Sequence, residues 1–289
     1  MGALMGSAPP EDRVTGPPSF VPVPERPDTY ALLRLRWGFG PEALRDATDV
    51  LRASALGAQV LEGIALGDVW LGDLAEDDPS YGFYLSADRV VRTRTRDFWQ
   101  ALRTLAHEGR HAVQDGLGLS TILEFHEPGT LLPWDARGYL LLNRALEADA
   151  DAWSVAASHQ LAEAGRPEAW KTLEAHPEFG GLAEAYAKAR PDGMIAAMGA
   201  AYDAWYDLGR DHGYDTYLLG WLERLREKSE DAGHEGPVGA AKALDDAALQ
   251  RLGWLPEGRS YLADRTLDEG RYAAMAPDVE ARLAELVAP

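Results

Sequence analysis

The spacing of apolar and polar residues divides the chain into segments with helical periodicity and one early stretch in which apolar residues recur at shorter spacing. From Tyr30 to Ile64 the apolar residues recur at helical spacing, with a helix start near Pro41. Residues 66–94 instead hold short apolar and aromatic stretches around a polar run, which predicts a small antiparallel sheet with a turn from Asp77 to Gly82. Beyond this stretch, Gly and Pro separate Ala/Leu/Glu-rich segments that predict roughly seven or eight helices. We therefore expect an α+β fold that is mostly α, with the sheet before the helical body.

The start of the chain has a different composition from the rest. The first 27 residues hold seven of the 18 prolines and show little apolar periodicity. Such a stretch is typical of an extended or flexible segment rather than a packed element. We expect a proline-rich flexible leader over residues 1–27.

Charge and cysteine content narrow the possible functions. The chain carries 28 Lys and Arg against 47 Asp and Glu, a formal net charge of −19, and no cysteine. A surface of this sign repels nucleic acids and anionic membranes, so we expect neither as a partner. Without thiols, any metal must be held by His, Asp and Glu. No signal-peptide pattern or bilayer-length apolar run is visible, which favours a cytoplasmic location.

A short pattern of chemical interest lies in the middle of the first half. Residues 107–111 read His-Glu-Gly-Arg-His, the motif H-E-x-x-H. On a helix, residues four apart lie one turn above each other, so His107 and His111 can reach one ion with Glu108 beside them. Thr95 is a plausible N-cap and Gly116 a plausible end of this helix. Its apolar stripe lies opposite the histidines, so their face is free for chemistry.

A second helix supplies carboxylates at the matching spacing. Within residues 139–155, Glu147 and Asp151 lie four apart on one face, whereas Asp149 points away from them. Carboxylates are costly in such an Ala/Leu/Trp-rich helix unless they pair or bind a metal. This face therefore requires a bound cation or a neighbouring histidine. A metal ion held by the histidines of the H-E-x-x-H helix would supply both. A solvated acidic stripe is the other interpretation of the same pattern.

The two motifs together resemble those of the gluzincin metallopeptidases, the thermolysin-like group. The resemblance implies that His107, His111 and Glu147 bind one zinc ion and that Glu108 is the general base. It also implies that Asp151 hydrogen-bonds a ligand histidine. The sequence around the motifs is more closely similar to a bacterial family of uncharacterised metallopeptidases. These similarities imply a zincin-like metallopeptidase core over 28–165 and a helical C-terminal subdomain over 166–289.

The resemblance has one departure and leaves some roles open. The spacing from His111 to Glu147 is longer than in thermolysin-like enzymes, and the extra segment from Leu117 to Arg137 contains His126 as a reserve ligand. In related catalytic domains an edge strand beside the motif helix can bind a peptide substrate, and residues 81–91 stand where that strand is expected. A Tyr or His donor for the developing oxyanion is also expected. Its candidates are Tyr202, Tyr206, His212, Tyr214 and Tyr217.

The function predicted from the sequence is therefore hydrolysis of peptide bonds in a peptide or protein substrate. The alternative is a catalytically inactive zinc-binding helical interaction module, a pseudopeptidase, which would have no need of Glu108. A ferritin-like di-iron site requires a second E-x-x-H motif, and the sequence has none. Serine hydrolases and phosphate-binding loop proteins lack their motifs here as well.

Overall fold

The computed structural model describes residues 41–74, 80–119, 132–233, 244, 246–255, 257–267 and 270–287. The described strands are β1 (Trp70–Asp73), β2 (Gly82–Leu85) and β3 (Val90–Thr93). The described helices, numbered α1 to α11 in chain order, are Pro41–Leu51, Ala55–Leu66, Phe98–Gly116, Ala136–Glu163, Pro167–Glu174, Gly180–Ala189, Met194–Asp207, Asp211–Asp231, Asp246–Leu252, Gly270–Ala273 and Pro277–Val287. The α+β, mostly α class predicted from the sequence is confirmed.

The sheet is small and mixed rather than wholly antiparallel. Its strand order is β1-β3-β2, with β1 parallel to β3 in the register Trp70 to Val90. Strands β2 and β3 form the antiparallel hairpin, with its turn between Leu85 and Val90. The predicted turn from Asp77 to Gly82 lies partly outside the described residues and is not the turn of this hairpin. Alternation of apolar and polar residues indicates a strand but not the direction of its partner, which is why β1 was assigned the wrong pairing.

Helix α4 is the centre of the helical body. It packs against α3, α5, α7 and α8. Many of its residues are alanines, and its large side chains Tyr139 and Trp153 are fully buried. Small side chains on all faces let neighbouring helices approach closely, so α4 is buried all round instead of presenting one apolar stripe. The main apolar core contains residues from both sides of position 165. The division into a core over 28–165 and a subdomain over 166–289 stays a prediction.

Helix α3 carries the H-E-x-x-H motif between two buried surfaces. Its N-cap is Asp97, whose side chain accepts from the backbone amides of Trp99 and Gln100, and not the predicted Thr95. The predicted end at Gly116 is confirmed. On the apolar side, a Cβ at Gly109 would clash with Val60 and Ile64 of α2, so only glycine allows this close approach. The opposite side, with the histidines, faces α4.

Two predictions fall outside the described residues. The proline-rich leader over 1–27 is one, and most of the segment from Leu117 to Arg137, His126 included, is the other. Among the helices that the structure describes, none combines the length and the apolar character needed to cross a bilayer.

Candidate metal site

Three side chains from α3 and α4 converge at one point. The Nε2 atoms of His107 and His111 lie 3.2 Å apart. Glu147 of α4 places its Oε2 atom 3.5 Å from Nε2 of His107 and its Oε1 atom 3.5 Å from Nε2 of His111. The ligand atoms of these three residues all lie within 4.8 Å of one another. The cluster can therefore hold a metal ion.

The donor spacing suits a small tetrahedral ion. Nitrogen and oxygen ligands about 2.0–2.1 Å from zinc in a tetrahedron lie about 3.3–3.4 Å from one another. The two Nε2 atoms lie 3.2 Å apart, close to that value, and each has an oxygen of Glu147 at 3.5 Å, Oε2 for His107 and Oε1 for His111. With one ligand atom from each residue, the three atoms lie within 4.8 Å of one another. Imidazole and carboxylate are also ligand types that zinc accepts, and no thiol is needed. The residues present thus fit a zinc ion in ligand type and lie near the spacing that it requires.

Asp151 lies against the far side of His107. Its Oδ1 atom is 2.8 Å from Nδ1 of His107, within hydrogen-bonding distance, and the aspartate is 1% exposed. Arg210 donates to the other oxygen at 2.6 Å, and Arg103 lies 4.0 Å away. The structure therefore brings Glu147 and Asp151 to one face of α4, where each contacts a histidine of α3.

Asp149 faces a different direction, as its helical spacing predicts. It accepts from Nε of Arg110 at 2.7 Å, from Nε2 of Gln114 at 2.8 Å and from the hydroxyl of Tyr261. Gln114 in turn lies 2.6 Å from Nδ1 of His111. Gln114 was not among the residues predicted from the sequence, although its position three residues after His111 was a signal that it shares the face of the histidine.

Glu108 is beside the donor cluster but is not part of it. Its Oε1 atom is 4.0 Å from Nε2 of His107, and the residue is 9% exposed. Burial raises the pKa of Glu108 above the ordinary glutamate value, although His107 and His111 act in the opposite direction. A raised pKa makes the carboxylate of Glu108 a stronger base than an exposed glutamate, which suits a general acid–base group.

The electrostatics of the cluster favour positive charge. Burial opposes protonation of His107, yet Asp151, Glu147 and Glu108 raise its pKa to about 10. Burial alone would raise the pKa of Glu147, but the two histidines hold it below its usual range. The pKa of Asp151 is also lowered, since His107 and Arg210 outweigh its burial. The carboxylates thus stabilise a cation at this point, whether that cation is a proton or a metal ion.

The cluster opens into a cleft of about 470 Å³. One wall is strand β2, which is an edge of the described sheet. At Gly82 this strand lies so close to α3 that a Cβ would clash with Thr104. Tyr84 donates to Asp115 at 2.9 Å and ties β2 to the end of α3. The opposite wall comes from α8, with Tyr217, Leu218 and Trp221 among its side chains.

Two of the five oxyanion candidates line the cleft and three do not. Tyr214 and Tyr217 of α8 line the cleft, and the charge of Glu147 together with burial raises the pKa of Tyr214 well above its usual value. Tyr202 and Tyr206 are buried against each other in the core, with hydroxyls 3.3 Å apart, and do not line the cleft. His212 is exposed, 3.9 Å from Asp278. The helical spacing of these candidates in the sequence did not show which of them lie near His107, His111 and Glu147.

A partly buried His/Glu cluster in a cleft thus defines the class of protein: a mostly helical protein with a cluster that could hold a metal ion and a further carboxyl group beside it. Residues 48–263, more than half of the 289, match the family described as "Putative metallopeptidase family (DUF6782)", and the chain belongs to that family. Comparison with curated proteins gives no match. Comparison with solved structures also gives none. Family membership implies a metal ion and a peptide or protein substrate, and it does not favour the inactive interaction module.

Proposed function

We propose that this protein is a zinc-dependent metallopeptidase of the gluzincin type. His107, His111 and Glu147 would bind one zinc ion. The observation that carries the proposal is the separation of the three donor pairs by 3.2, 3.5 and 3.5 Å, with a buried carboxyl group 4.0 Å from the cluster. Asp151 supports it, because a carboxylate behind a ligand histidine fixes the ring orientation and increases its basicity.

Glu108 is the residue we propose for proton transfer. A bound zinc ion supplies a Lewis acid and lowers the pKa of water. Glu108 then accepts a proton from the attacking water at its carboxylate and donates that proton to the leaving amine. Its raised pKa assists the second transfer, since a more basic carboxylate holds the proton until the amine departs.

The cleft supports binding of an extended peptide. Strand β2 has β3 as its neighbour on one side, and it lines the cleft. A peptide can add to such an edge through main-chain hydrogen bonds. Tyr214 and Tyr217 on the opposite wall are the two sequence-predicted donors that line the cleft. We propose Tyr214 as the oxyanion donor, because it lies against Glu147 beside the metal ligands.

Metal content and peptide hydrolysis test this function together. We expect the purified protein to hold one zinc ion per chain and to cleave members of a broad peptide library. In Glu108→Gln, hydrolysis should fall about 10²- to 10⁴-fold while zinc stays bound, because the change removes a proton carrier and not a ligand. Glu62→Gln, an exposed glutamate on α2, is the matched control and should behave as wild type.

Two results would contradict the proposal. One is a protein that retains no zinc at micromolar metal concentration. The other is a zinc-bound protein whose Glu108→Gln variant equals the wild type in every assay, which is the behaviour of an inactive zinc-binding module.

A further inference from the structure

We propose that Gln114 is a positioning residue that holds His111 in the tautomer protonated at Nδ1, which leaves Nε2 free to bind the metal. The inference rests on the proposed metal site, but it concerns the direction of one side-chain amide. Oε1 of Gln114 lies 2.6 Å from Nδ1 of His111, on the side of the ring away from Glu147 and His107.

The orientation of the Gln114 amide follows from its other two partners. Nε2 of Gln114 donates to the backbone carbonyl of Leu146 at 2.9 Å and to Oδ2 of Asp149 at 2.8 Å. A backbone carbonyl oxygen can only accept a hydrogen bond, so the contact with Leu146 requires the nitrogen of the amide on this side. The amide has two N–H bonds, and these two contacts use both of them. If the amide were flipped, its oxygen would face two other oxygens and both bonds would be lost.

The carboxyl group of Asp149 is held in place by its surroundings. The fully buried carboxylate accepts from Arg110 and from the hydroxyl of Tyr261. Arg110 is held in place by the carbonyl of Leu252 at 2.6 Å and by stacking 3.7 Å from the ring centre of Trp153. Arg110 thus makes charge-assisted hydrogen bonds to Asp149, and Gln114 and Tyr261 are its two further donors. The oxygen that accepts from Gln114 is therefore held in position by several contacts.

These contacts determine which ring nitrogen of His111 carries the proton. With both N–H groups engaged on α4, Gln114 presents only an oxygen to His111. Nδ1 of the neutral ring must donate to it, and Nε2 must carry the lone pair that points at His107 and Glu147. The ring of His107 is oriented differently, because a carboxylate, Asp151, faces its Nδ1 atom. One ligand histidine is thus oriented by a charge and the other by a neutral amide.

Nuclear magnetic resonance of the metal-free protein tests the tautomer directly. In a long-range ¹H–¹⁵N spectrum, at a pH where the His111 ring is neutral, we expect Nδ1 to be protonated and Nε2 to be bare. A ring protonated at Nε2 would overturn the proposal, whether or not the protein binds zinc. The measurement needs no activity, so its failure and the failure of the peptidase function are separate outcomes.

A pair of variants tests the consequence for metal binding. Gln114→Met keeps the side-chain length and removes the acceptor, so the zinc dissociation constant measured by chelator competition should rise about 10- to 100-fold, as is usual for partners of ligand histidines. Gln100→Met is the matched control, a buried glutamine on the same helix that does not line the cleft. It should leave the zinc affinity unchanged. Equal affinity in Gln114→Met and wild type, or equal weakening in both variants, would overturn the positioning role.

Discussion

The α3–α4 interface and the α6–α7 interface are both extensive and both buried, but their side chains differ in kind. Helices α6 and α7 meet through apolar side chains such as Leu182, Ala183 and Met198. Between α3 and α4 lie charged and amide groups that are at most 1% exposed, among them Arg110, Gln114, Asp149 and Asp151. One interface is thus stabilised by packing and the other by directional hydrogen bonds.

The difference shows which interface positions side chains precisely. Apolar contacts are non-directional, so an interface made of them tolerates small shifts of its helices. Buried polar groups stabilise only when each finds its partner, and they define the relative position of the helices that carry them. The three proposed metal ligands need positions defined to a few tenths of an ångström, and they come from the polar interface.

The largest expected effect on stability comes from breaking the polar interface. Asp149→Ala leaves Arg110 buried without a carboxylate and should lower the free energy of unfolding by about 3–5 kcal/mol. Glu163→Ala removes the carboxylate of an exposed pair with Arg190 and should cost less than about 1 kcal/mol. Urea denaturation of the metal-free proteins measures both. Equal costs would show that burial of the pair is unimportant.

The same tyrosine change should act differently in the two regions. Tyr214→Phe removes the proposed oxyanion donor and should lower kcat about 10²- to 10³-fold with zinc content unchanged. Tyr202→Phe removes a hydroxyl from the buried α7 core and should alter stability by about 1 kcal/mol without altering kcat. Steady-state kinetics on one peptide substrate separates them. A Tyr214→Phe enzyme with normal kcat would remove Tyr214 from the mechanism.

Zinc should stabilise the protein through the polar interface alone. At a free zinc concentration 100 times its dissociation constant, linkage predicts a gain of about 2.7 kcal/mol in the free energy of unfolding. Glu147→Ala should abolish most of this gain. Hydrogen exchange should slow in α3 and α4 on addition of zinc and change less in α6 and α7. Uniform slowing in all four helices would contradict a local site.

The smallest effect is expected from a volume-conserving change in the apolar interface. Met198→Leu should cost less than about 1.5 kcal/mol, because a fully buried apolar side chain can be exchanged for one of similar size. Zinc affinity should be unchanged. A weaker zinc affinity in this variant, measured by chelator competition, would show that the two interfaces are mechanically coupled.

Local periodicity predicted much of the fold and part of the candidate site. The spacing of His107 and His111 on one helix, and of Glu147 and Asp151 on another, is a property of 3.6 residues per turn, and the structure has both helices. The parallel pairing of β1 was not predictable in the same way, because alternation carries no strand direction. The cap at Asp97 was missed since several residues before Phe98 can cap a helix.

The sequence by itself determines which chemical groups are available. The imidazoles of His107 and His111 lie one helical turn apart with the carboxyl group of Glu108 beside them, and the chain has no thiol. Helical geometry is local, so the residues sharing a face can be read from their spacing. The tertiary structure alone decides which faces meet. It brings Glu147 to the histidines and Tyr214 to the cleft, leaves Tyr202 in the core, and turns Asp149 and Gln114 towards each other. Those contacts depend on how distant segments pack, and packing is a property of the whole chain that no short pattern contains.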